Sequence, residues 1–168
     1  MPTTHQLDAL QMAIVDPLLR QLYDYWQRKR AQRPMPSRAD IDPIDMRFIL
    51  GNLLLVDVLA APRRFRIRLH GTNLVHRAGY ELTGKMLDEL PNPDFRALAE
   101  RSFTTVVESA RPYHSTRSRT LSGRPQFYEA LMLPLSQAPP NVDMLLVGLC
   151  YTDAPRPASG AHRGAPVR

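Results

Sequence analysis

The sequence has only one cysteine, Cys150, among its 168 residues. A single cysteine excludes an intramolecular disulfide and any zinc or iron–sulfur site that needs several thiolates. The longest apolar runs, residues 53–58 and 144–150, have the length of strands, so no membrane-spanning helix is predicted. The N-terminus lacks the charged-then-apolar pattern of a signal peptide, and we therefore expect a cytoplasmic protein.

Recognisable catalytic motifs are also lacking. The chain contains neither a Gly-x-Ser-x-Gly nucleophile turn nor a His-Glu-x-x-His pair, and its acidic residues do not pair at a candidate site. The five histidines have no spacing typical of a zinc site. We therefore predict no catalytic residues, no metal ligands and no enzyme. A small enzyme with an unrecognised site is one alternative.

Charge is plentiful, with a net charge of +6 and a pI of about 10.0. Twenty of the 22 basic residues are arginines, and three of them, Arg156, Arg163 and Arg168, lie in an acid-free tail that accounts for half of the net charge. The other arginines are scattered along the chain, which disfavours a nucleic-acid-binding surface. An arginine-rich regulator that binds nucleic acid is the second alternative.

The N-terminal third is predicted to be helical. Asp16-Pro17 is a helix start signal, and Leu18, Leu22, Tyr25 and Trp26 form one apolar stripe at helical spacing. We divide the chain into an N-terminal helical extension (residues 1–51), one folded domain (residues 52–153) and a disordered tail rich in Pro, Gly and Ala (residues 154–168).

The domain is predicted to begin with an antiparallel hairpin. Residues 53–58 form an apolar strand, and a turn at Ala61-Pro62 leads to a second strand in which Phe65, Ile67 and Leu69 alternate with basic residues. A turn at this position places Asp57 opposite Arg66 and diagonal to Arg68, so we predict a structural charge pair between Asp57 and these two arginines.

The remaining elements complete an α+β fold. Short helical turns follow the hairpin, a long helix starts at Asn92-Pro93, and three more strands follow near residues 113–120, 127–135 and 142–151. We predict a five-stranded antiparallel sheet with helices on one face, in addition to the helical extension.

A set of apolar, turn and Asp-Pro positions between residues 22 and 151 matches a known pattern. They are Leu22, Tyr25-Trp26, Arg30, Pro36, Arg38, Asp40-Ile41-Asp42-Pro43, Leu53, Leu55, Phe65-Arg66-Ile67-Arg68-Leu69, Gly71-Thr72, Gly79, Leu82-Thr83-Gly84 and Val142-Asp143-Met144. In these positions the chain resembles the bacterial single-domain PAS family. The resemblance implies a PAS-like sheet and a sensor or adaptor that signals through a protein partner. It implies no catalytic domain and no particular ligand.

A ligand pocket is predicted between the sheet and the helices. We assume that the strand face carrying Phe65, Ile67 and Leu69 is turned toward the long helix. Larger groups able to reach the same space complete the predicted pocket, which consists of Ile67, Tyr80, Phe103, His114 and Tyr128. A core filled by these same rings is the alternative.

The cofactor is left unknown. In the light-sensing PAS branch the flavin is attached to a cysteine of the short-helix region, and residues 71–92 contain none. PAS haem sites usually present a histidine from the long helix, and residues 93–110 contain none, which disfavours haem.

A homodimer is predicted from the N-terminal helix. An isolated helix of about 15 residues is marginal, so its stripe must pack against something. Because PAS proteins often pair through a helix before the first strand, Leu18, Leu22, Tyr25 and Trp26 are the predicted interface. A monomer whose helix covers its own sheet is the alternative.

Overall fold

The computed structural model describes residues 4–155. Its α-helices are α1 (Thr4–Ala13), α2 (Pro17–Arg30), α3 (Thr72–Ala78) and α4 (Pro93–Ser109). Three 3-10 turns lie at Arg38–Asp40, Leu50–Asn52 and Leu87–Glu89. The strands are β1 (Leu53–Leu59), β2 (Arg64–His70), β3 (Tyr113–Leu121), β4 (Arg124–Leu135) and β5 (Met144–Thr152). The predicted tail lies outside the described residues from Arg156 onward.

The five strands form one antiparallel sheet in the order β2-β1-β5-β4-β3, which confirms the predicted fold class. Strands β1 and β5, from the two ends of the domain, lie side by side in the middle of the sheet. None of the helices within residues 4–155 has the length and apolar character that crossing a bilayer requires.

The two faces of the sheet have different covers. Because side chains alternate along a strand, Tyr128, Ala130 and Met132 of β4 point to one face, which α3 and α4 cover. We call it the pocket face. Glu129 of β4 and Gly148 of β5 lie on the opposite face, which α2 covers, and we call it the extension face.

Helix α2 belongs to the same core as the sheet. Its first turn is capped by the Asp16 carboxylate, which accepts hydrogen bonds from the backbone N–H groups of Leu18 (2.9 Å) and Leu19 (3.3 Å). A Cβ at Gly148 would lie 2.6 Å from Leu19 Cδ2 and 2.9 Å from Leu22 Cδ2. The helix therefore approaches β5 closely because this strand position has no side chain.

A β-bulge corrects one sequence expectation. The pairing between β1 and β2 shifts between Leu55 and Val56, so Val56 pairs with Ile67 whereas Leu55 pairs with Leu69. Leu69 therefore leaves the face that it was expected to share with Ile67, and its side chain is 39% exposed. Strand alternation alone could not reveal this shift, because a bulge inserts one residue into the count.

The predicted dimer stripe lies mostly inside the fold. Leu22, Tyr25 and Trp26 are at most 3% exposed, and the Trp26 Nε1–H donates to the Pro134 carbonyl oxygen at 3.0 Å. These three residues offer no surface to a second copy while α2 remains docked, so their assignment to an interface is corrected. Apart from Glu129 and His114, the buried residues of the extension face are mainly apolar, and α2 covers them. Only Leu18, at 36%, is substantially exposed.

Candidate functional site

A pocket lies between the pocket face of the sheet and helices α3 and α4. Its cavity, without the open space at its mouth, has a volume of about 60 Å³. Its walls are mainly aliphatic and aromatic, with a few polar groups among them. This combination is typical of sites that bind small molecules.

Four of the five predicted pocket residues line this space: Ile67, Tyr80, Phe103 and Tyr128. Phe103 of α4 meets Phe65 of β2 edge to face, with ring centroids 5.3 Å apart, which packs the helix against the sheet. Their rings occupy part of the space but leave a cavity, so the structure contains both a packed core and an opening.

His114 does not line the pocket. On β3 the pocket-lining positions are Ser115, Arg117 and Arg119, so His114, one residue earlier, points to the extension face. There its Nε2 atom lies 2.7 Å from Glu129 Oε1, with side chains only 1% and 0% exposed. The prediction was wrong because alternation tells which residues share a face but not which face meets the helix.

Glu129 connects this buried pair to the N-terminal extension. Its Oε1 atom accepts a hydrogen bond from the Val15 backbone N–H at 2.7 Å, and its Oε2 atom accepts one from the Asp16 N–H at 2.9 Å. A single carboxylate from the middle of β4 thus holds the connection between α1 and α2 on the sheet. We call the group of Glu129, His114, Val15 and Asp16 the Glu129 junction.

Arg119 is one of the pocket residues that the sequence reasoning did not include. Its guanidinium carbon lies 4.4 Å from the centroid of the Phe95 ring and 5.5 Å from that of Tyr151. Its Nε–H is buried and has no hydrogen-bond partner among the described residues. The available signal was the alternation of Ser115, Arg117 and Arg119 in β3, where basic residues at every second position mark one strand face.

His70 also lines the pocket, and its imidazole is in the neutral form. Burial lowers the pKa of its imidazole below 6.5, although the carboxylate of Glu81, 3.5 Å from Nδ1, acts in the opposite direction. The Leu82 backbone N–H donates to the same Nδ1 atom at 3.2 Å, which requires that nitrogen to be unprotonated. We therefore place the ring proton on Nε2.

Two tyrosines of the pocket are held in their protonated form. Burial raises the pKa of Tyr128 to about 12, and it also raises the pKa of Tyr151. Nearby arginines oppose these shifts because a cation favours the phenolate, Arg119 in both cases. At neutral pH both rings therefore offer an O–H group.

The Asp57 carboxylate lies where the hairpin register places it. Asp57 pairs with Arg66 across β1 and β2 and accepts hydrogen bonds from Arg66 Nη2 and Arg68 Nε, both at 2.8 Å. The carboxylate side chain is 8% exposed, whereas both arginine side chains are about half exposed. We interpret this group as an edge contact of the sheet, because it does not border the pocket.

The scattered arginines often have acidic partners. Besides the two at Asp57, ion pairs join Arg33 to Asp40, Arg63 to Glu108 and Arg64 to Asp88, at 2.9 to 3.1 Å. Arginines neutralised in this way contribute little to a surface that attracts phosphates. This observation does not favour the nucleic-acid alternative.

Among the described residues there is neither a cluster of metal-binding side chains nor a thiol that faces the pocket. Within residues 4–155, no three His, Cys, Asp or Glu side chains come together in a way that could hold a metal ion. Cys150 is buried in β5, and it follows the pocket-lining Leu149, so it points to the extension face. Its thiol therefore does not face a ligand in the pocket.

Known proteins share this architecture. A family model described as a PAS domain matches residues 15–150. The PAS domain of Bordetella pertussis BvgS is 17% identical with a TM-score of 0.52, over 64% of this chain and 82% of that one. The Rhodobacter sphaeroides LOV protein is 18% identical with a TM-score of 0.47, over 60% of this chain. This chain spans 58% of the LOV protein's length, and no curated protein matches it. Because the family model covers most of the sequence, the chain belongs to the PAS domain family.

Proposed function

We propose that this protein is a sensor or adaptor in bacterial signal transduction that acts in the cytoplasm without catalysing a reaction of its own. It binds a small molecule in the pocket and transmits its occupancy to a protein partner through the N-terminal extension. PAS domains are generally sensory and non-catalytic, and they often dimerise or bind partners, which supports this class of function.

The observation that carries the proposal is the position of β4 between the two features. Tyr128 forms part of the pocket wall, and the next residue, Glu129, holds the connection between α1 and α2. Adjacent residues of a strand share a peptide unit and point to opposite faces. A ligand that displaces Tyr128 would therefore also displace the acceptor of the Val15 and Asp16 N–H groups.

Signalling by this route needs a ligand that binds two arrangements of the protein unequally, because only differential affinity shifts an equilibrium. The two arrangements that we propose differ in how firmly α2 and the Glu129 junction are docked. An undocked α2 would expose Leu22, Tyr25 and Trp26, which are aromatic and apolar groups favoured at protein interfaces.

Native mass spectrometry of freshly purified protein tests the binding function. We expect a bound small molecule in the wild type, lost in Ala99→Phe, which fills the pocket from α4. Ala97→Phe is the matched control, since Ala97 lies on the same helix but does not line the pocket. Hydrogen exchange of residues 14–30 should differ between the bound and the emptied wild-type protein. A wild type free of small molecules would contradict the proposal.

A further inference from the structure

We infer that the ligand of this pocket is a small apolar carboxylate whose anionic group binds Arg119. This inference rests on the proposed function, because it names the chemical class of the molecule that the pocket takes. The juxtaposition that carries it is a half-buried arginine, with a buried Nε–H that has no acceptor among the described residues, at the wall of a mainly apolar cavity.

The Arg119 Nε–H is buried and has no hydrogen-bond acceptor among the described residues. None of the ion pairs among these residues includes Arg119. The Phe95 and Tyr151 rings attract the cation, but ring faces offer no oxygen to its N–H groups. A buried donor is costly when unpaired, so a molecule that brings an oxygen acceptor to this Nε–H gains a favourable contact.

The charged residues that line the pocket favour an anionic ligand. None of the described residues that line the pocket is Asp or Glu, whereas Arg117 and Arg119 both line it from β3. Both arginines act on the buried Tyr128, where their positive charge favours the phenolate. A carboxylate fits the planar guanidinium in a two-pronged arrangement, and one such group matches the single described arginine with a buried, unpaired Nε–H.

The aliphatic residues that line the pocket favour a ligand with an apolar body. Leu74, Leu87, Leu98, Met132 and Val147 also line the cavity. A ligand with a charged head and a hydrocarbon body would place each part against matching groups. A polar metabolite such as a sugar would instead leave hydroxyl groups against these aliphatic side chains without partners.

Calorimetric titration of the full chain with hexanoate, octanoate and decanoate, each compared with its matched primary alcohol, tests the inference. The acid and the alcohol share their hydrocarbon body and differ at the head group. We expect at least one carboxylate to bind at least about tenfold more tightly than its alcohol, because the charge-assisted contact is lost in the alcohol. Arg119→Met, which keeps an unbranched side chain between the two rings, should abolish this ratio.

Arg124→Met is the control, because this substitution removes the same charge at an exposed position of the β3–β4 hairpin. It should leave the ratio unchanged. Equal affinities of acids and alcohols for the wild type would overturn the carboxylate but leave the pocket as a ligand site, so the proposed function would survive. Failure of both series to bind would also overturn the inference, and native mass spectrometry would then decide the proposed function separately. The wild-type comparison decides the matter even if Arg119→Met does not fold.

Discussion

The Glu129 junction offers a direct test of how the N-terminal extension is held. Glu129 is fully buried, its carboxylate accepts hydrogen bonds from the Val15 and Asp16 N–H groups, and its Oε1 atom lies 2.7 Å from His114 Nε2. Glu129→Gln preserves the size of the side chain but replaces one acceptor oxygen by an NH₂ group. Whichever way the amide turns, its NH₂ group faces at least one buried donor that can no longer be satisfied.

The magnitude follows from the number of donors affected. A buried donor left without an acceptor costs about 1–3 kcal/mol, so Glu129→Gln should lower the free energy of unfolding by about this amount. Glu129→Ala removes the acceptor of both backbone N–H groups and should cost more than Glu129→Gln. Domains of this size are stable by roughly 5–15 kcal/mol, so both variants should still fold.

Urea unfolding followed by circular dichroism measures the global effect, and hydrogen exchange locates it. We expect the Val15 and Asp16 amides to exchange faster in both variants, because these amides lose their acceptors. Glu100→Gln, at an exposed position of α4, is the control and should stay within about 0.5 kcal/mol of the wild type. If Glu129→Gln and Glu129→Ala both matched this control in stability and exchange, the junction would not hold the extension.

Two further predictions concern pH and association. Because burial lowers the pKa of His70 below 6.5, the unfolded chain binds a proton at this residue before the folded protein does. The contribution of His70 to the free energy of unfolding is therefore complete above pH 6.5 and is lost as the pH falls from 6.5 through the lower pKa of the folded state. Denaturant unfolding at several pH values should show this loss reduced in His70→Gln but retained in the exposed control His76→Gln, and equal losses would refute the assignment. The second prediction concerns the expected homodimer. Because most of the apolar stripe of α2 is buried, we now expect the interface at the exposed residues near the α1–α2 junction, Met12, Val15 and Leu18. Sedimentation at micromolar concentration should show a dimer that Leu18→Asp dissociates and that Ile44→Asp, at another exposed position, leaves intact. A wild-type monomer at every concentration would exclude it.

The sequence predicted those parts of the fold that depend on local patterns. Strand alternation and the turn at Ala61-Pro62 were enough to place Asp57 opposite Arg66, because register in a hairpin follows from its turn. The Asp16-Pro17 signal likewise located the start of α2. Both features are decided by residues close together in the chain.

Features decided by distant residues were harder to predict. The apolar stripe of α2 showed that the helix needed a partner, but not whether the partner was its own sheet or a second copy. Gly148 was the available signal, since a glycine within an apolar strand often marks a close approach by another element. The face of His114 depended on which side of the sheet α4 covers, and no single segment contains that information.

The position of β4 between β3 and β5 limits how the protein could transmit a signal. The central part of β4 is hydrogen-bonded to β3 on one side and to β5 on the other, with Glu129 paired to Thr116 and Cys150. A strand fixed on both sides does not readily twist at one residue alone, so a ligand that moves Tyr128 or Arg119 would shift neighbouring strands together. The extension is attached to that group of strands by Glu129 on β4 and by the packing of Leu19 and Leu22 on Gly148 of β5. Loss of the Glu129 contacts should therefore weaken the response of α2 to pocket occupancy more than it weakens binding in the pocket itself.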